Sequence, residues 1–141
     1  MGLDQQVSII DIQEKLEELY LYRFGDPNNT TLFDDAEEPE ELCLHNQYAV
    51  QGFMMELALS KGAEGEDDLN GAYIRVREED VKKLYKISKD LEALKAYAEK
   101  WRKGASNYYS DFDQKQVRDF CRNLMKYIAF DECAAYYEAG W

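Results

Sequence analysis

Apolar residues recur at helical spacing over most of this chain. Ile9, Ile12, Leu16 and Leu19 fall three or four apart and are joined by Tyr20. Ser8 followed by Asp11 reads as a capping box, so the pattern predicts a helix near 9–22, with residues 3–7 suited to a short strand before it. Gly25-Asp26-Pro27-Asn28-Asn29 breaks the pattern and opens an acidic loop through Glu38. Pro39 suits the first turn of a second helix, and Glu40 and Glu41 fall at the positive end of its dipole. Leu42, Ala49, Val50, Phe53, Met54 and Leu57 form its buried stripe, which stops near Gly62.

Residues 62–71 make a second acidic loop, and the alternation of 72–77 predicts a short strand. Leu84, Ile87, Leu91, Leu94, Ala98 and Trp101 follow, spaced 3-4-3-4-3, with Glu78-Glu79-Asp80 in the first turn and Gly104 as a stop. They predict one helix over 79–103. Ser110 with Asp113 offers another capping box. Val117, Phe120, Cys121, Leu124, Met125 and Ile128 extend it into a helix over 111–128. The tail, 134–141, reads either as a strand pairing with 72–77 or as a last helical turn. The sum is a single α+β domain over 1–141, mainly helical, with about four helices packed on a small two- or three-stranded sheet.

Composition places the chain among globular proteins. It has 141 residues, 45% of them apolar and 13% aromatic, enough for an ordinary core. No run approaches the roughly 20 apolar residues a membrane span needs. The N-terminus has no basic and then apolar stretch of the secretory kind, and Gln6 stands where a myristoylation signal wants Ser or Thr. Cys43, Cys121 and Cys133 are odd in number and widely spaced, which fits reduced thiols. The expectation is a cytoplasmic protein, in the host cytoplasm if phage-encoded.

Charge changes the picture more. The formal net charge is −12, and it is lopsided. Residues 1–70 hold 17 acids against Lys15, Arg23 and Lys61, while residues 71–141 hold 12 acids against 14 bases. The densest stretch, 26–41, has seven acids and no base. One reading of this is solubility. The other is a negative surface, built from Asp34, Asp35, Glu37, Glu38, Glu40 and Glu41 and seconded by Glu64, Glu66, Asp67 and Asp68, that steers and orients a basic partner.

Motifs for chemistry are scarce. Cys43, His45, Cys121 and Cys133 make a legitimate zinc set by residue type. They lack the close pairing of structural zinc sites, and Cys121 falls in an apolar stripe, so no metal is expected. Gly71 as the turn glycine of a calcium loop puts Glu66, Asp68 and Asn70 at ligand positions, but Arg77 then stands where a bidentate Glu belongs. The one histidine, His45, falls along the edge of the second helix's stripe, as a partly buried histidine rather than a general base. No Gly-rich phosphate loop is present, no cofactor is implied, and the reading is not an enzyme. The bases of the third helix (Lys82, Lys83, Lys86, Lys89, Lys95, Lys100, Arg102, Lys103) alternate with acids like a solvated face, which argues against direct binding to nucleic acid. The 84–101 stripe serves a core helix or a homodimer seam equally.

The opening Met1-Gly2-Leu3-Asp4 and the closing Tyr136-Tyr137-Glu138-Ala139-Gly140-Trp141 resemble a group of small acidic phage and bacterial proteins of undefined function. These begin Met-Gly-Leu-Asp and end on a Tyr-Tyr…Trp strand. Residues 46–53 resemble their first core helix and 72–81 their strand-to-helix step. This chain departs from the group after Asp4, where Gln5-Gln6-Val7 and a predicted helix replace a hydrophobic strand. The resemblance implies a phage or prophage setting and a small α+β fold; it implies no activity and no site residues.

The expectation is therefore a non-enzymatic acidic interaction protein, phage-encoded, that binds a basic surface of a host protein, as a nucleic-acid mimic or an inhibitor of a defence or nucleic-acid-binding factor. Two alternatives are an immunity or antitoxin protein with one cognate toxin, and a small enzyme or metal protein using His45 and nearby acids. No membrane partner is expected.

Overall fold

Four consecutive residues near the end of the chain, Ala134, Ala135, Tyr136 and Tyr137, are all buried. A strand covered on both faces has that pattern, and the tail pairs with strands on both its sides at the centre of the sheet. The computed structural model describes residues 2–11, 21–22, 33 and 36–141. Among these the strands are β1 (Asp4–Asp11), β2 (Leu21–Tyr22), β3 (Leu44–His45), β4 (Tyr73–Val76) and β5 (Cys133–Gly140). The helices are α1 (Tyr48–Ser60), α2 (Glu78–Ile87), α3 (Leu91–Trp101) and α4 (Asp111–Tyr127), with single 3₁₀ turns at Glu40–Leu42, Glu66–Leu69 and Ala105–Tyr108. No helix among the described residues is long and apolar enough to cross a membrane.

The sheet is antiparallel, in the order β2-β4-β5-β1-β3. The class is α+β and mainly helical, as the periodicity predicts. Three strands, β4, β5 and β1, carry most of the pairing, and two-residue pieces extend both edges. β1 and β5 pair over their full length, Asp4 opposite Gly140 through Asp11 opposite Cys133.

One face of the sheet packs on the helices: Val7, Ile9, Ile74, Val76, Ala135, Tyr137 and Ala139 join the main core there. The other face presents Ile10, Ala134 and Tyr136, against which Phe33, Ala36 and Tyr73 pack. This two-sided burial corrects the predicted helix over 9–22. Ile9 and Ile10 lie on opposite faces of β1, and a strand apolar on both faces loses the alternation that marks it. Leu21 and Tyr22 form β2; residues 12–20 lie outside the described residues. Ser8 caps no helix, its hydroxyl donating instead to Glu38 Oε1 at 3.3 Å.

The second predicted helix starts later than Pro39. Glu40–Leu42 is a 3₁₀ turn that places Leu42 in the core, and Leu44–His45 pairs with Gln5 and Asp4. Asn46 turns the chain in the left-handed region (φ 54°) and exchanges hydrogen bonds with Leu3: its N–H donates to Leu3 O at 2.8 Å and its Oδ1 accepts from Leu3 N at 2.7 Å. α1 then runs through the middle of the helical layer, with Gly52 against the backbone of α3.

The predicted 79–103 helix is two helices. Asp90 caps α3, accepting from the N–H groups of Glu92 (3.0 Å) and Ala93 (3.3 Å), and buried Ser88 ends α2. Gln114 Nε2 holds the break by donating to Ser88 O at 2.9 Å. The break lets α2 pack on α4 while α3 turns to pack on α1. The apolar spacing runs unbroken across it because both halves bury the same stripe. α4 begins as predicted, with the Ser110 N–H (2.9 Å) and hydroxyl (3.1 Å) both donating to Asp113.

Candidate partner-binding surface

The acidic segment 36–41 is fixed by its backbone. Glu37 exchanges two hydrogen bonds with Ile9, at 2.8 and 2.9 Å, which adds a rung to the outer edge of β1. Leu42 plugs the far end of the segment into the core, and Asn123 Nδ2 donates to Glu41 O at 3.3 Å. The side chains of Glu37, Glu40 and Glu41 are exposed. Asp34 and Asp35 lie outside the described residues.

The second segment, 64–68, loops out between buried Ala63 and buried Leu69. Asp68 accepts from the Glu64 N–H at 3.3 Å, while Glu64, Glu66 and Asp67 are exposed. Beyond it, Gly71 N–H donates to Ala139 O at 2.9 Å. The two acidic segments are thus tied to different places. Glu37 sits opposite Ile9, on the outer edge of β1; the 64–71 loop reaches β5 at Ala139, which pairs with Gln5. Those anchor points are four residues apart along β1, about 13 Å, and flank the β1–β5 pair from opposite sides.

What unites the segments, among the described residues, is the lack of compensating ion pairs. Among the described residues no ion pair reaches Glu37, Glu40, Glu41, Glu64, Glu66 or Asp67. Several bases of the C-terminal half are in ion pairs: Lys82 with Glu78, Lys95 with Glu92, Lys115 and Arg122 with Asp119, Lys100 with Glu56. Lys61, partly buried, lies 3.9 Å from Asp80 and donates to Arg75 O at 2.7 Å. Such exposed pairs add little stability and are screened by water, but they give the helical surface acids and bases side by side.

Glu38 differs from its neighbours. Its Oε1 accepts from Ser8 Oγ and, at 3.4 Å, from Gln6 Nε2, which also donates to Glu138 Oε1 at 2.8 Å. Burial raises the pKa of Glu138, with Glu38 adding to the effect; hydrogen bonds from Tyr73 and Gln6 oppose it. Burial and the neighbouring Glu138 push the Tyr73 hydroxyl up to about 12. Gln6, Ser8, Tyr73 and Glu138 were legible only through strand parity. Once the register of β1, β4 and β5 is known they occupy one face, and helix-based reading of 9–22 hid that.

The residues of the zinc set do not converge. Cys43 is exposed, Cys121 is buried under α4 and Cys133 is half-buried. Among the described residues, no group of three or more His, Cys, Asp or Glu is placed to hold a metal ion. Burial raises all three thiols, Cys121 to about 12, with Glu38, Glu40 and Glu41 acting further on Cys43 and Asp11 on Cys133. His45 is not on a helix edge. It is exposed on β3, with Nδ1 2.7 Å from Asp4 Oδ1, because the chain from Leu44 adds to β1 instead of starting α1. No known protein family, curated protein or solved structure matches the chain.

Proposed function

We propose that this chain is a non-enzymatic, acidic interaction protein that presents Glu37, Glu40 and Glu41, with Glu64, Glu66 and Asp67 as a second patch, to a basic surface of another protein. The observation that carries the reading is that, among the described residues, no ion pair reaches these exposed carboxylates, while several acids of the helical surface are paired with neighbouring bases. Carboxylates presented together on a surface attract and orient a cationic partner at long range. The phage setting implied by the chain's two ends makes a host protein the partner, and a nucleic-acid-binding or defence factor is the class whose own site is basic. The acids around Asp34 and Asp35 belong to the same proposal.

The test is affinity purification from the host with wild type and with Glu40→Lys/Glu41→Lys, both eluted over a salt gradient, followed by association kinetics on any protein retained. The reversal is expected to slow association and flatten its salt dependence. Partners retained equally by both proteins, at the same salt, would sink the reading.

A further inference from the structure

Helices α2 and α4 pack together but leave between them a cleft of about 270 Å³, lined by Val81, Lys82, Tyr85, Cys121, Arg122 and Met125. Each helix contributes one turn to it, so the cleft is about 6 Å long. Val81 and Cys121 are buried and form the floor, where burial keeps the thiol neutral. The Tyr85 ring and the part-exposed Met125 thioether form the walls.

The lips are cationic on both sides. Lys82 comes from α2 and Arg122 from α4. Arg122 leans across the opening, with its guanidinium 5.8 Å from the centre of the Tyr85 ring and Nη2 donating to the Tyr85 hydroxyl at 3.3 Å. Their acidic neighbours, Glu78 at 3.4 Å from Lys82 and Asp119 at 3.6 Å from Arg122, sit in solvent-exposed pairs on the same helix, which water screens.

We propose that this cleft binds a small aromatic carboxylate. An aromatic ring fits a short apolar slot walled by a tyrosine and a thioether, both of which pair well with aromatic edges and faces. The Arg122 guanidinium, with most of its five donors uncommitted, takes a carboxylate in two parallel hydrogen bonds while Lys82 supplies the second positive charge. A docked partner helix would need anchors spread over two turns, and the cleft offers one. The proposal is independent of the acidic surface, since neither patch contributes to the lining.

The test titrates the full chain, isotopically labelled, with 3-phenylpropionate and with its neutral isostere 3-phenylpropanamide. The carboxylate is expected to shift the NMR signals of Val81, Tyr85, Cys121 and Met125 saturably and to bind about fivefold tighter than the amide, as one charge-assisted pair at an open site allows. A Lys82→Gln/Arg122→Gln variant should lose that factor toward the carboxylate and keep the amide's affinity, which also shows that the variant is folded. Equal affinity for acid and amide, signals moving elsewhere, or no saturable shift would overturn the proposal.

Discussion

Asn70 and Trp141 hold each other by two reciprocal hydrogen bonds: Asn70 Nδ2 donates to Trp141 O, and Trp141 N–H donates to Asn70 Oδ1, both at 3.1 Å. The side-chain amide of Asn70 acts as a one-residue strand partner just past the end of β5. It thereby places the Trp141 ring edge-on to Trp101, with ring centres 4.8 Å apart. These are the two tryptophans of the chain, so its tryptophan fluorescence reports on this one contact.

Asn70→Ala should free the last residue and cost about 0.5–1 kcal/mol, because two hydrogen bonds at an exposed site are exchanged for bonds to water. The expected signs are a red-shifted tryptophan emission, loss of the exciton couplet between the two indoles in circular dichroism, and a lower urea midpoint with unchanged slope.

Gly52 is where α1 touches α3. A Cβ at this position would lie 1.9 Å from Tyr97 O, a backbone atom that cannot step aside. Gly52→Ala is therefore expected to destabilise the protein by about 2–3 kcal/mol, against the gain that alanine usually brings to a helix. Chemical denaturation of the variant checks it, and an equal or higher midpoint would show that the two helices can separate freely.

A buried amide–phenol network joins the sheet to the helices. Gln5 Nε2 donates to Tyr137 Oη at 2.8 Å and to Gln47 O at 2.9 Å, while Tyr137 Oη donates to Gln51 Oε1. Gln47 Nε2 reaches Gln116 at 2.7 Å, and its Oε1 accepts from Tyr109. Tyr137→Phe removes one hydroxyl and takes a partner from one amide donor of Gln5 and from Gln51 Oε1, both buried, so a loss of about 1–3 kcal/mol is expected although the packing volume hardly changes. A thermal melt comparing it with a phenylalanine substitution at exposed Tyr108 separates the network from the ring.

Glu138 predicts a pH dependence. Its pKa in the folded protein is raised by burial and by Glu38. The folded state thus holds this proton more tightly than the unfolded chain does. The sign follows: this contribution to stability is greatest below the ordinary carboxylate range and is lost as pH rises through the raised value. Glu138→Gln keeps an oxygen acceptor for Tyr73 and Gln6 and removes the titration. It is expected to be more stable than wild type at neutral pH by less than about 1 kcal/mol, given half-exposure, with the difference vanishing in acid. Urea midpoints across pH measure it.

The break between α2 and α3 rests on Asp90, whose carboxylate serves two N–H groups of α3. Asp90→Ala should cost about 1 kcal/mol. Helix content should fall little, since α3 is also held by its packing on α1.

Local chemistry was legible in the sequence wherever partners lie within a few residues of each other. The Ser110–Asp113 start of α4, the α1 stripe from Ala49 to Leu57 and the alternation of β4 all involve such near neighbours. The Asp90 cap was equally local, but an unbroken apolar spacing hid it. The acidity of the candidate surface was visible as composition. Which carboxylates stand uncompensated was not, because that depends on where Lys100 meets Glu56 or Gln6 meets Glu38, across 44 and 32 residues.

The sequence by itself determined the α+β class, the positions of most helices and the concentration of negative charge in the first half. Tertiary structure alone decided that residues 9–11 are strand, that the tail is the middle of the sheet, that His45 sits in solvent beside Asp4 and that Glu38 is tied into a polar network while Glu40 and Glu41 are not. The reason is the range of the forces that select each outcome. A helix turn closes between residues three or four apart, whereas β1 finds its partner more than 120 residues away. Only burial of both faces at once makes that pairing better than a helix.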